Sequence, residues 1–208
     1  MFEVSVDPSS ERPLDRRRAA TRREIIDQAW ALCREHGLAG LSLRDLAARV
    51  GMRAPSLYSY FSSKDAIYDA MFAEGQHELT QVIDALPTTG ARDDLRVGAH
   101  AFFRFCTDDP VRYQLMFQRT LPGFVPSDES YSLAIALIDR LRDRLAGVGV
   151  DDPRHVDLWT SITTGLSDQQ ISNDPGGDRW ARVVDEAVDM FCDHVGVPPT
   201  PTTEKAST

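Results

Sequence analysis

The 208-residue chain, 42% hydrophobic and 26% charged, has the makeup of an ordinary soluble globular protein, long enough for a sizeable core in one or two domains. No apolar run approaches the length that crosses a bilayer, and residues 1–14 lack the hydrophobic core of a signal peptide, so a cytoplasmic chain with no membrane partner is expected. The net charge of −9 argues at first against a polyanionic partner. Its distribution reverses that. Residues 12–64 hold eleven basic side chains against five acidic ones, a net of +6, whereas residues 65–208 hold twelve against twenty-four. A basic module attached to an acidic one points to nucleic-acid contact at the amino-terminal end. Cys33, Cys106 and Cys192 are odd in number and far apart. That spacing makes neither a disulfide framework nor a metal site, and it predicts buried, reduced thiols with no metal or cofactor.

In chain order, residues 1–16 read as a flexible basic extension, and residues 17–64 as a three-helix module. The first helix, 17–36, buries Ile25, Ala29, Leu32 and Cys33 on one stripe and ends at Gly37. Arg17 and Arg18, within the cluster Arg16-Arg17-Arg18 and Arg22-Arg23, read as phosphate or minor-groove contacts of an arm rather than a solvated face. Leu43, Leu46, Ala47 and Val50 then recur at three- and four-residue spacing in a short second helix. Ser42 stands at its N-cap position with Asp45 three residues on, and Gly51 supplies the left-handed residue that ends it. Pro55 suits the first turn of a third helix, 54–61. Only Leu57 and Phe61 there look committed to packing, which leaves Ser56, Tyr58, Ser59 and Tyr60 free for phosphates and base edges. Two short helices around one glycine turn make a helix-turn-helix pattern, whose second helix can enter a major groove.

Ser63 is the expected cap of a long helix, 64–86, which connects to the second module, residues 65–196. Gly75 in its middle costs about 1 kcal/mol relative to Ala and marks a bend or a close approach. Five more helices follow at 93–107, 110–119, 130–146, 153–172 and 178–195, and no stretch alternates with period two for long enough to make a sheet. The fold class is therefore all-α. Phe102, Phe103, Tyr113, Met116, Phe117, Phe124 and Trp159, with the polar Thr163 and Gln169, concentrate large side chains where a small-molecule pocket between helices would need them; plain core is the competing reading. The acidity of this half could favour a cationic ligand, although solvated surface charge explains it as well. Leu158, Ile162, Gly165 and Leu166 on one late helix and Val184, Val188 and Phe191 on the next make apolar stripes suited to a two-fold four-helix interface. Residues 197–208 read as a disordered tail.

The run GMRAPSLYSYFSSKDAI at residues 51–67 resembles the recognition-helix region of the TetR family of bacterial transcriptional regulators. The resemblance rests on the glycine turn, the small residue before Leu57-Tyr58, the aromatic pair Tyr60-Phe61, and Ser63-Lys64 opening the next helix. It covers about residues 22–72; beyond them only length, helical layout and the runs DPVRYQLMF and DPGGDRW are reminiscent of members. It implies an amino-terminal helix-turn-helix domain joined by a long helix to a helical ligand-binding and dimerisation domain. Within the first, Ala54, Pro55, Ser56, Tyr58 and Ser59 match base-facing positions. Tyr60 and Lys64 match phosphate contacts, and Ser42, Arg44 and Arg53 lie near the groove or backbone. Arg53 departs from the pattern, since many relatives place a capping Ser or Thr there. The implied protein is a homodimeric repressor of a palindromic double-stranded DNA operator, released by a small hydrophobic or amphipathic effector. A ligand-independent regulator and a helical protein-binding adaptor are the alternatives. An enzyme is disfavoured, because the chain has no Gly-rich phosphate loop, nucleophile elbow or HExxH.

Overall fold

The computed structural model of the protein describes residues 13–89 and 92–199, which hold helices and turns and no strand. The helices are α1 (Pro13–His36), α2 (Leu43–Arg49), α3 (Ala54–Leu57), α4 (Lys64–Asp84), α5 (Arg92–Asp108), α6 (Pro110–Phe117), α7 (Asp128–Gly147), α8 (Pro153–Asn173) and α9 (Val184–Val195), with short 3-10 turns at Leu38–Gly40 and Ala181–Val183. Most follow the hydrophobic periodicity closely. Two differ in a way that matters: α3 is half the expected length, and the last helix starts at Val184, after the 3-10 turn Ala181–Val183, rather than at residue 178.

The chain divides into two compact units, one running to Met71 and including Thr120–Phe124, the other made of Phe72–Arg119 and the residues from Val125 onward. The boundary therefore falls inside α4, not at its start. In the first unit α1 packs on α2 and α2 on α3. Its centre is formed by fully buried Ile25, Ala29, Cys33, Leu46, Leu57 and Met71. In the second, α5 is the central helix, packed against α6, α8 and α9, while α8 also meets α7 and α9. One core cluster gathers Leu95, Phe103, Leu145, Trp159 and Phe191; a second gathers Leu79, Phe105, Cys106, Tyr113 and Met116. Gly75 lies where α4 meets this second cluster, and a Cβ there would stand 2.6 Å from Met116 Sδ. The close approach anticipated at this glycine is thus a helix–helix contact.

Both expected chain ends need correction. Residues 13–16 are already helical, so the extension is shorter than 1–16, and residues 1–12 lie outside the described residues. At the other end Val197 is not part of a tail. It is only 5% exposed, its N–H donates to the Cys192 carbonyl at 2.8 Å, and its own carbonyl accepts from Arg92. Arg92, itself 5% exposed, also reaches Asp189 at 3.2 Å and Asp193 at 2.5 Å, tying the start of α5 to the end of α9. Residues 200–208 of the expected tail lie outside the described residues. Val197→Ala is expected to lose about 1–2.5 kcal/mol. The expected outcome is a thermal midpoint lower by about 2–4 °C per kcal/mol, measured by calorimetry, whereas a tail residue would leave the midpoint unchanged.

Candidate nucleic-acid interface and ligand cavity

The helix-turn-helix is built by local chemistry. Ser42 sits in extended conformation and its Oγ accepts the Asp45 N–H at 3.3 Å, satisfying one of the donors that the first turn of α2 leaves unpaired. At the other end Gly51 adopts φ +67°, and the N–H groups of Gly51 and Met52 return to the carbonyls of Ala48 and Ala47 at 3.2 and 2.9 Å. This is the paired closure of a Schellman motif, available to glycine without the steric penalty other residues meet. The chain then re-enters helix at Ala54, with Pro55 in the first turn and no side-chain cap from Arg53.

Regular helix stops at Leu57, and 3-10-type bonds take over: Ser59 N–H to Ser56 O at 3.2 Å and Tyr60 N–H to Leu57 O at 2.9 Å. What holds this shortened element comes from α1. Arg18 donates to the Ser59 carbonyl at 2.5 Å and lies over the Tyr60 ring at 5.5 Å. Arg22 donates to the Tyr60 carbonyl at 2.7 Å and lies over the Phe61 ring at 4.0 Å. The two arginines thus pair with carbonyls at the carboxyl end of the element, the end where cations are favoured. Arg18, expected to serve a polyanion, is a structural strut. Arg22, of the same basic cluster, plays the same part, since its spacing of four from Arg18 places both on one face of α1.

The other candidates divide by exposure. Arg17, Arg44, Arg53, Pro55, Ser56, Tyr58 and Ser59 are exposed, Tyr58 to 58%, while Ser42, Ala54, Tyr60 and Lys64 are half-buried. Ser59 Oγ donates to the Ser56 carbonyl at 2.7 Å, so its lone pairs face outward. Lys64 Nζ lies 3.5 Å from the Ala39 carbonyl and 5.4 Å from the Tyr68 ring centroid, held at the amino end of α4. Ser63 caps that helix, its Oγ accepting the Ala66 N–H at 3.0 Å. Arg49 is committed elsewhere: it forms a two-pronged bond with Glu35 of α1, and its guanidinium holds the Glu35 carboxyl below the usual range.

The second unit contains a cavity of about 260 Å³ between α4, α5, α7 and α8. Of the expected ligand residues, Phe102, Phe117, Trp159 and Thr163 line it, with the Phe102 and Phe117 rings edge to face at 5.6 Å. The others lie elsewhere. Phe103 is packed in the main core, and Tyr113 and Met116 in the second cluster, where burial pushes the Tyr113 phenol up to about 12. Phe124 belongs to the first unit, edge-on to Tyr68 at 5.6 Å. Gln169 is exposed and bonds Asn173 at 3.0 Å. The missed lining includes Ile83, Leu86, Leu137, Ile138 and Leu141. They recur at one-, three- and four-residue spacing along their segments, as core residues also do, so periodicity cannot tell a wall from a core.

The apolar stripes of α8 and α9 also separate. Leu158 and Gly165 are exposed and Ile162 and Leu166 half-buried. Val184, Val188 and Phe191, expected at an interface, are at most 2% exposed and close the protomer's own core, Phe191 lying 5.0 Å from Trp159. The outward residues near them are Val183 and Met190, the latter 67% exposed.

Among the described residues no group of His, Cys, Asp and Glu could hold a metal, and no helix is long and apolar enough to cross a membrane. The three cysteines are buried and none is in a disulfide, and burial pushes the Cys106 thiol up to about 12. Because the thiolate is the reactive species, a raised value leaves Cys106 protonated at neutral pH. Native protein at pH 8 is therefore expected to react with a small disulfide reagent only at the rate of its unfolding, and denatured protein to label all three sites at once. Rapid native labelling would contradict the buried assignment.

A family model described as bacterial regulatory proteins, tetR family, matches residues 25–71. The HTH-type transcriptional regulator Rv1816 of Mycobacterium tuberculosis (strain ATCC 25618 / H37Rv) is 28% identical over 187 residues, covering 78% of this chain and 74% of that protein. Tetracycline repressor protein class D of Escherichia coli is 40% identical over 53 residues, 26% of this chain and 24% of its own. Among solved structures, putative regulatory protein SCO4313 shares the fold with a TM-score of 0.75 at 24% identity, over 88% of this chain and 100% of that one. The capped helix-turn-helix thus lies inside residues that match the tetR family of bacterial transcriptional regulators, and over most of its length the chain is similar to an HTH-type transcriptional regulator rather than to an enzyme.

Proposed function

We propose that the protein is a homodimeric repressor that binds a palindromic operator and is released from it by a small molecule held in the second unit. The observation that carries the DNA-binding part is the exposed set Pro55, Ser56, Tyr58 and Ser59 on an element whose inner side is fastened by Leu57, Phe61, Arg18 and Arg22. In this reading Arg44 reads guanine or grips a phosphate, and Tyr58 and Ser56 reach base edges. Arg17, Arg53, Tyr60 and Lys64 contact the backbone, and Ala54 and Pro55 favour thymine methyls and DNA shape. Two such units spaced about 34–36 Å apart would enter successive major grooves.

Dimerisation is assigned to the outward faces of α8 and α9. Gly165 supports it: a helix-interior glycine costs about 1 kcal/mol relative to Ala, yet a Cβ there would meet nothing within the protomer. Close approach of a second chain accounts for keeping it. Release is assigned to α4, which carries Leu79 and Ile83 into the cavity wall and Ile67 and Met71 into the core of the first unit. A ligand that binds better to the arrangement unsuited to two half-sites shifts the population away from DNA, by about 1–3 kcal/mol or 5–150-fold in comparable switches.

Three measurements test this reading. Selection of bound fragments from the source genome is expected to return a recurring inverted repeat, and random recovery would overturn the proposal. On a bound duplex, Arg17→Ala is expected to reduce the slope of log affinity against log salt by about 1, as loss of a phosphate contact does. Arg22→Gln, which loosens α3 instead, is expected to weaken binding about 5–30-fold with the slope unchanged. Gly165→Arg is expected to convert dimer to monomer in sedimentation without loss of helix content; a persistent dimer would place the interface elsewhere.

A further inference from the structure

The walls of the second-unit cavity define a ligand class. We propose that it accepts small, uncharged, apolar molecules and rejects ions of either sign, despite the acidity of this half of the chain. The proposal rests on the ligand-responsive reading for its relevance to regulation, but not for its test.

Five of the sixteen lining residues are polar, and each is already engaged with the protein. Arg144 donates to three carbonyls at the end of α4: Ile83 at 2.7 Å, Pro87 at 3.0 Å and Leu86 at 3.2 Å. Asp94 accepts the Thr89 N–H at 2.5 Å on one oxygen and the Thr89 hydroxyl at 3.0 Å on the other. The hydroxyls of Thr160, Thr163 and Thr164 give their protons to the carbonyls of Asp157, Trp159 and Thr160, at 3.0, 3.0 and 2.5 Å. Their lone pairs alone remain for a guest. A carboxylate or phosphate would thus find no threonine donor, and the one cation in the wall is turned to backbone carbonyls.

A cation fares no better on charge. Asp94 and Arg144 are of opposite sign and line the same cavity, so the wall carries no net formal charge to attract a cation. Removing an ion from water costs several kcal/mol unless a partner meets it with good geometry. The strongest case for a cation is the aromatic group Phe102, Phe117 and Trp159, since ring faces attract ammonium groups. Phe102 and Phe117, however, stand at 71° to one another, edge to face, and Trp159 is turned against Phe191. That arrangement satisfies the rings mutually instead of opening parallel faces to a guest.

Size narrows the class further. The 260 Å³ volume lies between the ~150 Å³ apolar cavity that takes up benzene and the ~300 Å³ lower end of drug-sized pockets. It suits a single ring with a short alkyl chain, or an aliphatic molecule of similar bulk.

The test uses the full chain and three probes of nearly equal shape in titration calorimetry: n-butylbenzene, 3-phenylpropylammonium and 3-phenylpropanoate. The neutral probe is expected to bind at least ten-fold more tightly than either ion. A control fills the cavity without strain. Gly98 lines the wall, and a Cβ there would meet only Leu86 Cδ1 at 3.9 Å, so Gly98→Leu is expected to keep the fold, seen by circular dichroism, and abolish uptake of n-butylbenzene. Equal or tighter binding of either ion, no detectable binding of the neutral probe, or undiminished binding by Gly98→Leu would each overturn the proposal. Binding of n-butylbenzene that leaves operator affinity unchanged would remove ligand-induced release and leave the selectivity of the cavity intact.

Discussion

The contacts that α1 makes with the carboxyl end of α3 are the constraint on which the DNA-facing surface depends. A helix of four residues cannot sustain itself, because nucleation costs more than so few hydrogen bonds return. Leu57 and Phe61 anchor it from below. Arg18 and Arg22 hold the Ser59 and Tyr60 carbonyls and cover the adjacent aromatic rings. With its inner side fastened in this way, the element can leave Ser56, Tyr58 and Ser59 in solvent. The arginine cluster of α1 is thus divided: Arg18 and Arg22, though exposed, are bonded to the Ser59 and Tyr60 carbonyls, and Arg17 is exposed beside them.

The second unit shows a similar division between groups that hold structure and groups that face a guest. Arg92 and Arg144 look from the sequence like ordinary surface cations. One ties α5 to the end of α9, and the other closes the carboxyl end of α4 while standing in the cavity wall. Burying a cation in this way is tolerable because carbonyls and carboxylates surround it; an unpaired charge there would be strongly destabilising. The result is a cavity whose polar groups serve the fold first, which is why its walls behave as apolar.

Much of this was legible from residue chemistry, and the division between what was and was not follows the range of the interactions. The Ser42 cap, the Gly51 turn, the Ser63 cap and the approach at Gly75 depend on short segments or on one residue type at one place, and the chain announces them. The length of α3 depends on partners 38 and 41 residues away, which spacing within residues 54–61 cannot reveal. Val197 reads as tail until Arg92, 105 residues earlier, is seen to bind its carbonyl. The stripes of α8 and α9 were correctly apolar, but a stripe does not say what covers it. Val184, Val188 and Phe191 turn inward while Met190 turns out. Aromatic composition likewise identified the neighbourhood of the cavity and not its wall, since Phe103, Tyr113 and Met116 are core and aliphatic Leu137, Ile138 and Leu141 line the space.

The most direct test of the central claim, that α1 holds the recognition element in place, is amide hydrogen exchange on the free protein. The Tyr60 and Phe61 amides, bonded to the Leu57 carbonyl at 2.9 Å each, are expected to be protected in the native chain. In Arg22→Gln they should lose most of that protection, while amides of α4 and the second unit keep theirs. Unchanged protection at Tyr60 and Phe61 in that variant would mean that α1 does not hold the element in place.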